Sequence, residues 1–331
     1  DTVATITNAA VAEKYLAWSD QFEPDFDLIR EALKRPYARM NGNYTVPPEI
    51  PIPNFVAVRI VAQTLAQRTQ CDLLLGQPDK ALRKLSLMHD MCRLLEGAPT
   101  RKPMTLVAAM MNVAVAGLYA DTVSEGLRAN DWQAAQLVVL QKQLAEIELA
   151  PLVAGAFESE PAMSSYWLET KKPSELFNLS VIVTGSKKNE TWWDKISSLK
   201  GKWWDLIPRG WVYQNIASFL ELMRETRASL FDDHWFINPR NIDQAWKEMK
   251  YQTEHLGLFD RLAAIALPNS SKAMQVLAFN QTKANEAQIV CALERYHIAK
   301  GNYPETLDAL APQFMEKIPQ DIIGGQTLHY R

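Results

Sequence analysis

The chain predicts a mainly α fold: a body of helical hairpins finished by a small C-terminal helix and β-hairpin module. Three observations carry that expectation. Apolar residues recur at helical spacing through most of the first half. Gly, Pro, Asn and Asp fall between those runs, where helices stop and start. From Gly301 onward the pattern changes to short segments rich in Gly and Pro.

Taken in order, residues 1–165 read as a helical-hairpin domain. Ala9 to Trp18 and Phe26 to Leu33 are short amphipathic runs. Tyr44 to Pro53 carries four prolines and predicts an extended connection. Phe55 to Leu75 and Lys80 to Leu95 then flank Gly76-Gln77-Pro78-Asp79, a helix stop followed by a helix start. Met104 to Leu127 and Trp132 to Ile147 repeat the arrangement around Ala129-Asn130-Asp131, about fifty residues further on. This resembles the stacked hairpins of tetratricopeptide-like arrays without matching their full consensus. Two hairpins are fewer than a solenoid usually needs, so a compact helical bundle stands beside that reading.

Residues 166–236 form a Trp/Lys-rich helical segment. They hold Trp167, Trp192, Trp193, Trp203, Trp204, Trp211 and Trp235, seven of the ten tryptophans. Thr191-Trp-Trp-Asp-Lys-Ile and Lys202-Trp-Trp-Asp-Leu-Ile recur eleven residues apart, so on one helix they share a face. Lys171, Lys172, Lys187, Lys188, Lys195, Lys200 and Lys202 make the neighbourhood basic. Pro208-Arg209-Gly210 predicts a break, with a helix from Trp211 to about Leu230.

Residues 237–331 are a helical region ending in the terminal module. Helices are expected from Ile242 to about His255, from Leu258 to Leu267, and from Lys272 to Lys300. Gly301 stops the last of these and Pro304 opens a short helix. A Pro-Asp turn and a Gly-Gly hairpin finish the chain.

Composition narrows the function classes. A formal net charge of -3 over 331 residues provides no basic field for nucleic acid. No uninterrupted run of 18 apolar residues exists, which predicts that the chain as given does not span a bilayer. It starts at Asp1 rather than Met, and a removed signal peptide or anchor helix is expected upstream. Cys71, Cys92 and Cys291 cannot make a disulfide framework. Buried free thiols are expected, with a Cys71–Cys92 bridge across a hairpin as the alternative. Sequons at Asn43, Asn178, Asn189, Asn269 and Asn280 read as chance occurrences.

The nucleotide, zinc-protease and nucleophile-elbow motifs are absent from the sequence, and the five histidines lack metal-pair spacing. No cofactor and no metal are expected. Two constellations are candidates for chemistry. Asp232-Asp233-His234 offers oxygen and imidazole ligands, or else a helix-end turn in which Asp caps and Trp235 packs inward. Glu158 and Glu160, in a loop-like stretch before Pro161, are paired carboxylates for acid–base work, or else a solvated loop.

Binding is expected at Trp192, Trp193, Trp203, Trp204, Trp211 and Tyr213. Tryptophan flanked by lysine is the composition of an interfacial membrane segment. It is equally that of a protein-interface anchor, a stacking platform for a small-molecule ligand of unknown class, or a core between helical subdomains. Pro208 to Asn215 also has a structural account: Pro-x-Gly turns, Trp211 and Tyr213 pack, and Gln214 and Asn215 satisfy backbone groups.

The terminal residues Gly301, Tyr303, Pro304, Leu307, Leu310, Pro319, Asp321, Gly325 and Tyr330 resemble the end of the major pseudopilins of type II secretion systems. Ile322 and Ile323 stand where that family has a Pro and an aromatic. Its calcium-binding loop is not recognisable, so the resemblance implies no metal. Together with Pro208-Arg-Gly-Trp-Val-Tyr-Gln-Asn215, the module also resembles a family of uncharacterised membrane-anchored proteins of planctomycetes and verrucomicrobia. That resemblance implies a bacterial envelope location on the periplasmic side, tethered or exported through the removed N-terminus.

The function expected is a non-enzymatic envelope scaffold or interaction protein. Its Trp/Lys-rich segment would meet a protein partner or a membrane surface, with no nucleic acid. The alternatives are an envelope-polymer hydrolase using the acidic residues and a pseudopilin-like assembly subunit.

Overall fold

The computed structural model describes residues 8–35, 55–96, 105–173, 175, 208–254 and 270–330. The chain is mainly α, and no β-strand forms among the described residues. Contacts divide it into two compact units. Unit 1 comprises Asp1–Met40, Ile52–Val153 and Gln275–Arg331, and unit 2 comprises Asn41–Pro51 and Ala154–Met274. This grouping differs from the composition-based division after residues 165 and 236, because it joins segments far apart in the chain.

Unit 1 opens with α1 (Asn8–Ser19) and α2 (Glu23–Leu33), joined by a 3-10 turn over Asp20–Phe22. Pro24 in the first turn of α2, with Glu23 and Asp25 beside it and Arg30 in the last, fits both the backbone and the helix dipole. α3 (Phe55–Leu74) and α4 (Pro78–Leu95) make the second hairpin, and α5 (Leu106–Arg128) and α6 (Ala134–Ala145) the third.

The two inner turns close in the same way. Gly76, at φ 66°, follows α3; its N–H donates to Leu73 O at 2.9 Å and that of Gln77 to Asp72 O at 2.8 Å. Asn130, at φ 56°, follows α5 with matching bonds from Asn130 N to Leu127 O and from Asp131 N to Gly126 O. Both are Schellman caps, which need a left-handed residue; Gly and Asn tolerate that best. The repeat of punctuation in the sequence is therefore a repeat of this cap.

Packing between neighbours orders the hairpins. α1 packs on α3 and α3 on α5, while α2 packs on α4 and α4 on α6. Like helices of successive hairpins lie side by side, which is stacked-repeat order. Only the second and third hairpins show the Gly/Asn punctuation, so the sequence reveals one hairpin fewer. Leu65, Leu85, Met88, Val113, Tyr119, Leu140 and Leu144 are fully buried between these helices. Each buried aliphatic side chain contributes about 1.5–3 kcal/mol of transfer free energy.

Trp132 was expected inside a helix and instead lies just before α6. Its indole Nε1 donates to Val123 O at 3.1 Å, and its ring covers Gly126, where an added Cβ would collide with it. α5 is long and apolar enough, by length and composition, to cross a membrane, yet 67% of its apolar window is buried. Its apolar character forms the centre of unit 1.

α7 (Leu149–Thr170) begins in unit 1 and continues into unit 2. α8 (Arg209–Leu230) and α9 (Pro239–Glu254) pack on one another in unit 2. α10 (Ser270–Lys300) returns the chain to unit 1 along α5. Asn280 Nδ2 donates to Val113 O at 3.1 Å, and its side chain occupies the space that a Cβ on Gly117 would need. The sequon at Asn280 is thus buried in a helix crossing.

Gly301, at φ 80°, caps α10. A 3-10 turn over Leu307–Leu310 stands where a short α-helix was expected. Leu307, Leu310, Phe314 and Met315 bury against Ile289, Ala292 and Leu293 of α10, with Leu328 and Tyr330 at the edge. The expected β-hairpin is a turn at Gly324-Gly325 closed by an isolated bridge between Gln320 and Thr327. Asp321 explains why it stays short. Its carboxylate accepts Ile323 N at 2.9 Å while its own N–H donates to Gln326 O at 2.8 Å, tightening the reversal.

All three cysteines are free, so Cys71 and Cys92 are not bridged. Burial pushes the Cys291 thiol up to about 12 and raises that of Cys92 as well. Cys71 is half-buried, and burial followed by the neighbouring Asp72 raises its thiol too. Iodoacetamide at about pH 8 is expected to label Cys71 slowly and spare the other two until the chain is denatured, as read by peptide mass spectrometry. Native labelling of Cys92 or Cys291 would contradict their burial.

Candidate functional site

Where α7 ends and α8 begins, the two helices are tied together. Arg209 Nη2 donates to Glu169 O at 2.6 Å, and Tyr213 OH donates weakly to the Glu169 carboxylate at 3.4 Å. Lys171 sits over the Trp167 ring, 5.1 Å from its centroid, a cation–π contact at the same end of α7. The end of α7 and the start of α8 are therefore neighbours. Trp192, Trp193, Trp203 and Trp204, with the lysines from Lys187 to Lys202, lie between them in the chain and outside the described residues.

The two motif aromatics at the base part company. Trp211 is 5% exposed and belongs to the core of unit 2, so it is not a surface anchor. Tyr213 is 48% exposed. Positions i and i+2 of a helix point about 200° apart, so both cannot face inward once α8 has started. That start is at Arg209, two residues ahead of expectation, with Pro208 as N-cap and Gly210 in the first turn. Trp211 N bonds Pro208 O at 2.9 Å, and buried Asn215 donates to Trp211 O at 2.9 Å. The motif is helix-start chemistry carrying one buried and one exposed ring.

The acidic candidates lie on two elements, α7 and the turn after α8. Glu158 and Glu160 are in α7 rather than a loop, because α7 continues through Pro161. Pro161 is buried, and its carbonyl accepts Ser165 Oγ at 2.7 Å, so packing overrides the break. As an i, i+2 pair on a helix, the carboxylates diverge. Glu158 instead pairs with Arg227 of α8 at 3.0 Å, a partner with no signal in the sequence.

Asp232-Asp233-His234 forms the turn after α8. The Asp232 carboxylate accepts His234 N at 2.9 Å and Phe236 N at 2.8 Å, and an antiparallel bridge joins Phe231 to Ile237. Asp232 is a turn cap. His234 is exposed, and among the described residues no group of three or more His, Cys, Asp or Glu could hold a metal ion. Trp235, expected to pack inward, is 37% exposed at φ 67°, edge-on to Phe231 and beneath the Arg227 guanidinium.

Comparison with family models, with curated proteins and with solved structures returned no match for this chain.

Proposed function

We propose that the chain is a non-enzymatic scaffold of the bacterial envelope that presents its Trp/Lys-rich segment to a membrane surface or a protein partner. The observation that carries this reading is the closed base. The bond between Arg209 and Glu169 sets the end of α7 beside the start of α8, the two helices that flank the Trp/Lys-rich residues in the chain. Exposed Tyr213 and Tyr166 on α8 and α7 extend the aromatic character onto the described surface. Of the acidic candidates, Asp232 is engaged in turn capping and Glu158 in pairing α7 with α8. The envelope location rests on the resemblance of the terminal module and the Pro208–Asn215 motif.

The test is excision. Replacing residues 176–207 by a short Gly/Ser linker is expected to keep the melting temperature within a few degrees and to abolish co-sedimentation with anionic liposomes or capture of the partner. Trp193→Ala and Trp204→Ala are expected to weaken the same binding with stability nearly unchanged. A collapse in melting temperature with binding intact would assign these tryptophans to a core and reject the proposal.

A further inference from the structure

The geometry points to a second binding site, independent of the Trp/Lys segment: the cleft between α2 and α4 takes an acidic, partly apolar peptide. The cavity is about 820 Å³, within unit 1, and a ligand-sized space. The sequence builds it from the α4 positions Lys80, Arg83, Lys84 and Leu87, whose spacing puts them on one helix face. Arg30 and Leu33 of α2 and Arg68 of α3 add to the lining, with the carboxylates of Asp20, Glu23 and Asp90.

Its cations differ by depth. Arg68 is 4% exposed; its Nη1 donates to Ser19 Oγ at 2.6 Å and its Nη2 to Asp20 at 2.8 Å and Glu23 at 3.3 Å. Lys84 is buried too and is paired with Asp72. The deep charges are therefore paired within the protein, and Nε of Arg68 is the one nitrogen of its guanidinium left without a hydrogen-bond partner. Lys80 and Arg83, at the rim, are exposed, one helical turn apart, and make no ion pair among the described residues.

That arrangement selects the ligand. A compact phosphate needs uncompensated donors converging at one depth, usually a fork of Arg or a fan of backbone N–H groups. Here the free charge is confined to the rim and spread over about 5–6 Å, the spacing of i, i+3 side chains. Leu33, Leu82 and Leu87 supply apolar wall. A chain placing apolar side chains inward and carboxylates along the rim satisfies both layers, whereas a single small anion satisfies one. Rim charges act mainly on association rate and salt dependence.

The test uses the full chain and an array of octapeptides combining Leu with Glu and Asp, followed by fluorescence anisotropy on the array hits. Binding is expected, with about a tenfold loss in Lys80→Glu/Arg83→Glu and a smaller loss in Lys80→Gln/Arg83→Gln. Lys14→Glu, the same charge change at an exposed α1 position outside the lining, should leave affinity unchanged. The site would be overturned by absence of any array binding, by equal binding of peptides with Gln in place of Glu and Asp, or by equal loss in Lys14→Glu. Displacement of the peptide by millimolar inorganic phosphate would reassign the cleft to small anions and also reject it. If the reversal variant melts early, the Gln pair decides.

Discussion

Replacing Asp72 with alanine is expected to lower the unfolding free energy by about 3 kcal/mol, out of the 5–15 kcal/mol typical of a folded protein. Asp72 is 1% exposed on α3 and holds the Lys84 ammonium of α4. Removing the carboxylate leaves a buried cation without its partner, which costs far more than the pair itself contributes. The value sits at the low end of the 3–5 kcal/mol range because Lys84 borders the cleft and can shift part of its charge toward water. Urea denaturation followed by circular dichroism would read it. The double change Asp72→Leu/Lys84→Met is expected to recover most of the loss, since apolar side chains of similar volume fill the same α3–α4 contact. An Asp72→Ala chain as stable as the parent would show that Lys84 escapes fully into the cleft.

The second large effect is at Gln281. Its Oε1 accepts Leu149 N at 2.8 Å, and its Nε2 donates to Ile147 O and to Asn285 Oδ1, each at 2.9 Å. One side chain, 7% exposed, thus satisfies the backbone on both sides of Glu148 from a helix more than a hundred residues later. Gln281→Ala leaves a buried donor and a buried acceptor unpaired at about 1–3 kcal/mol each, so a loss of about 3 kcal/mol is expected. Glu286→Ala, exposed on the same helix, is expected to change stability by less than about 0.5 kcal/mol. Equal melting of the Gln281 variant and the parent would mean that water replaces the amide.

Local rules made the body readable. The stops at Gly76, Asn130 and Gly301 lie at positive φ, and backbone sterics alone restrict which residues adopt it. Pro78 and Pro24 at helix starts follow from a missing N–H that no helix needs there. The first hairpin was harder to see, because α1 and α2 join through a 3-10 turn without a glycine. The site residues were less legible still. Trp211 and Tyr213 look alike in sequence, and only the start of α8 at Arg209 fixes which one turns inward. Lys80, Arg83 and Lys84 share one face of α4, and nothing local says which of them is neutralised.

The terminal module shows the same split. Gly301, Pro304 and the Gly-Gly turn mark its ends from sequence, and Leu307 and Leu310 were readable as its apolar residues. Their burial against α10 makes it a cap on that helix, and Asp321 holds the final reversal to a turn rather than a ladder.

By itself, then, the sequence determined the mainly α class, the positions of the inner turns and the absence of the common catalytic motifs, because these depend on φ, ψ and spacing within a few residues. The tertiary structure decided the rest. It carried α7 through Pro161, set Glu158 against Arg227, and returned α10 beside α5 to complete unit 1. Each of these turns on which distant surface a residue meets. Burial and hydrogen-bond satisfaction across more than a hundred residues outweigh local preference, and no pattern along the chain records them.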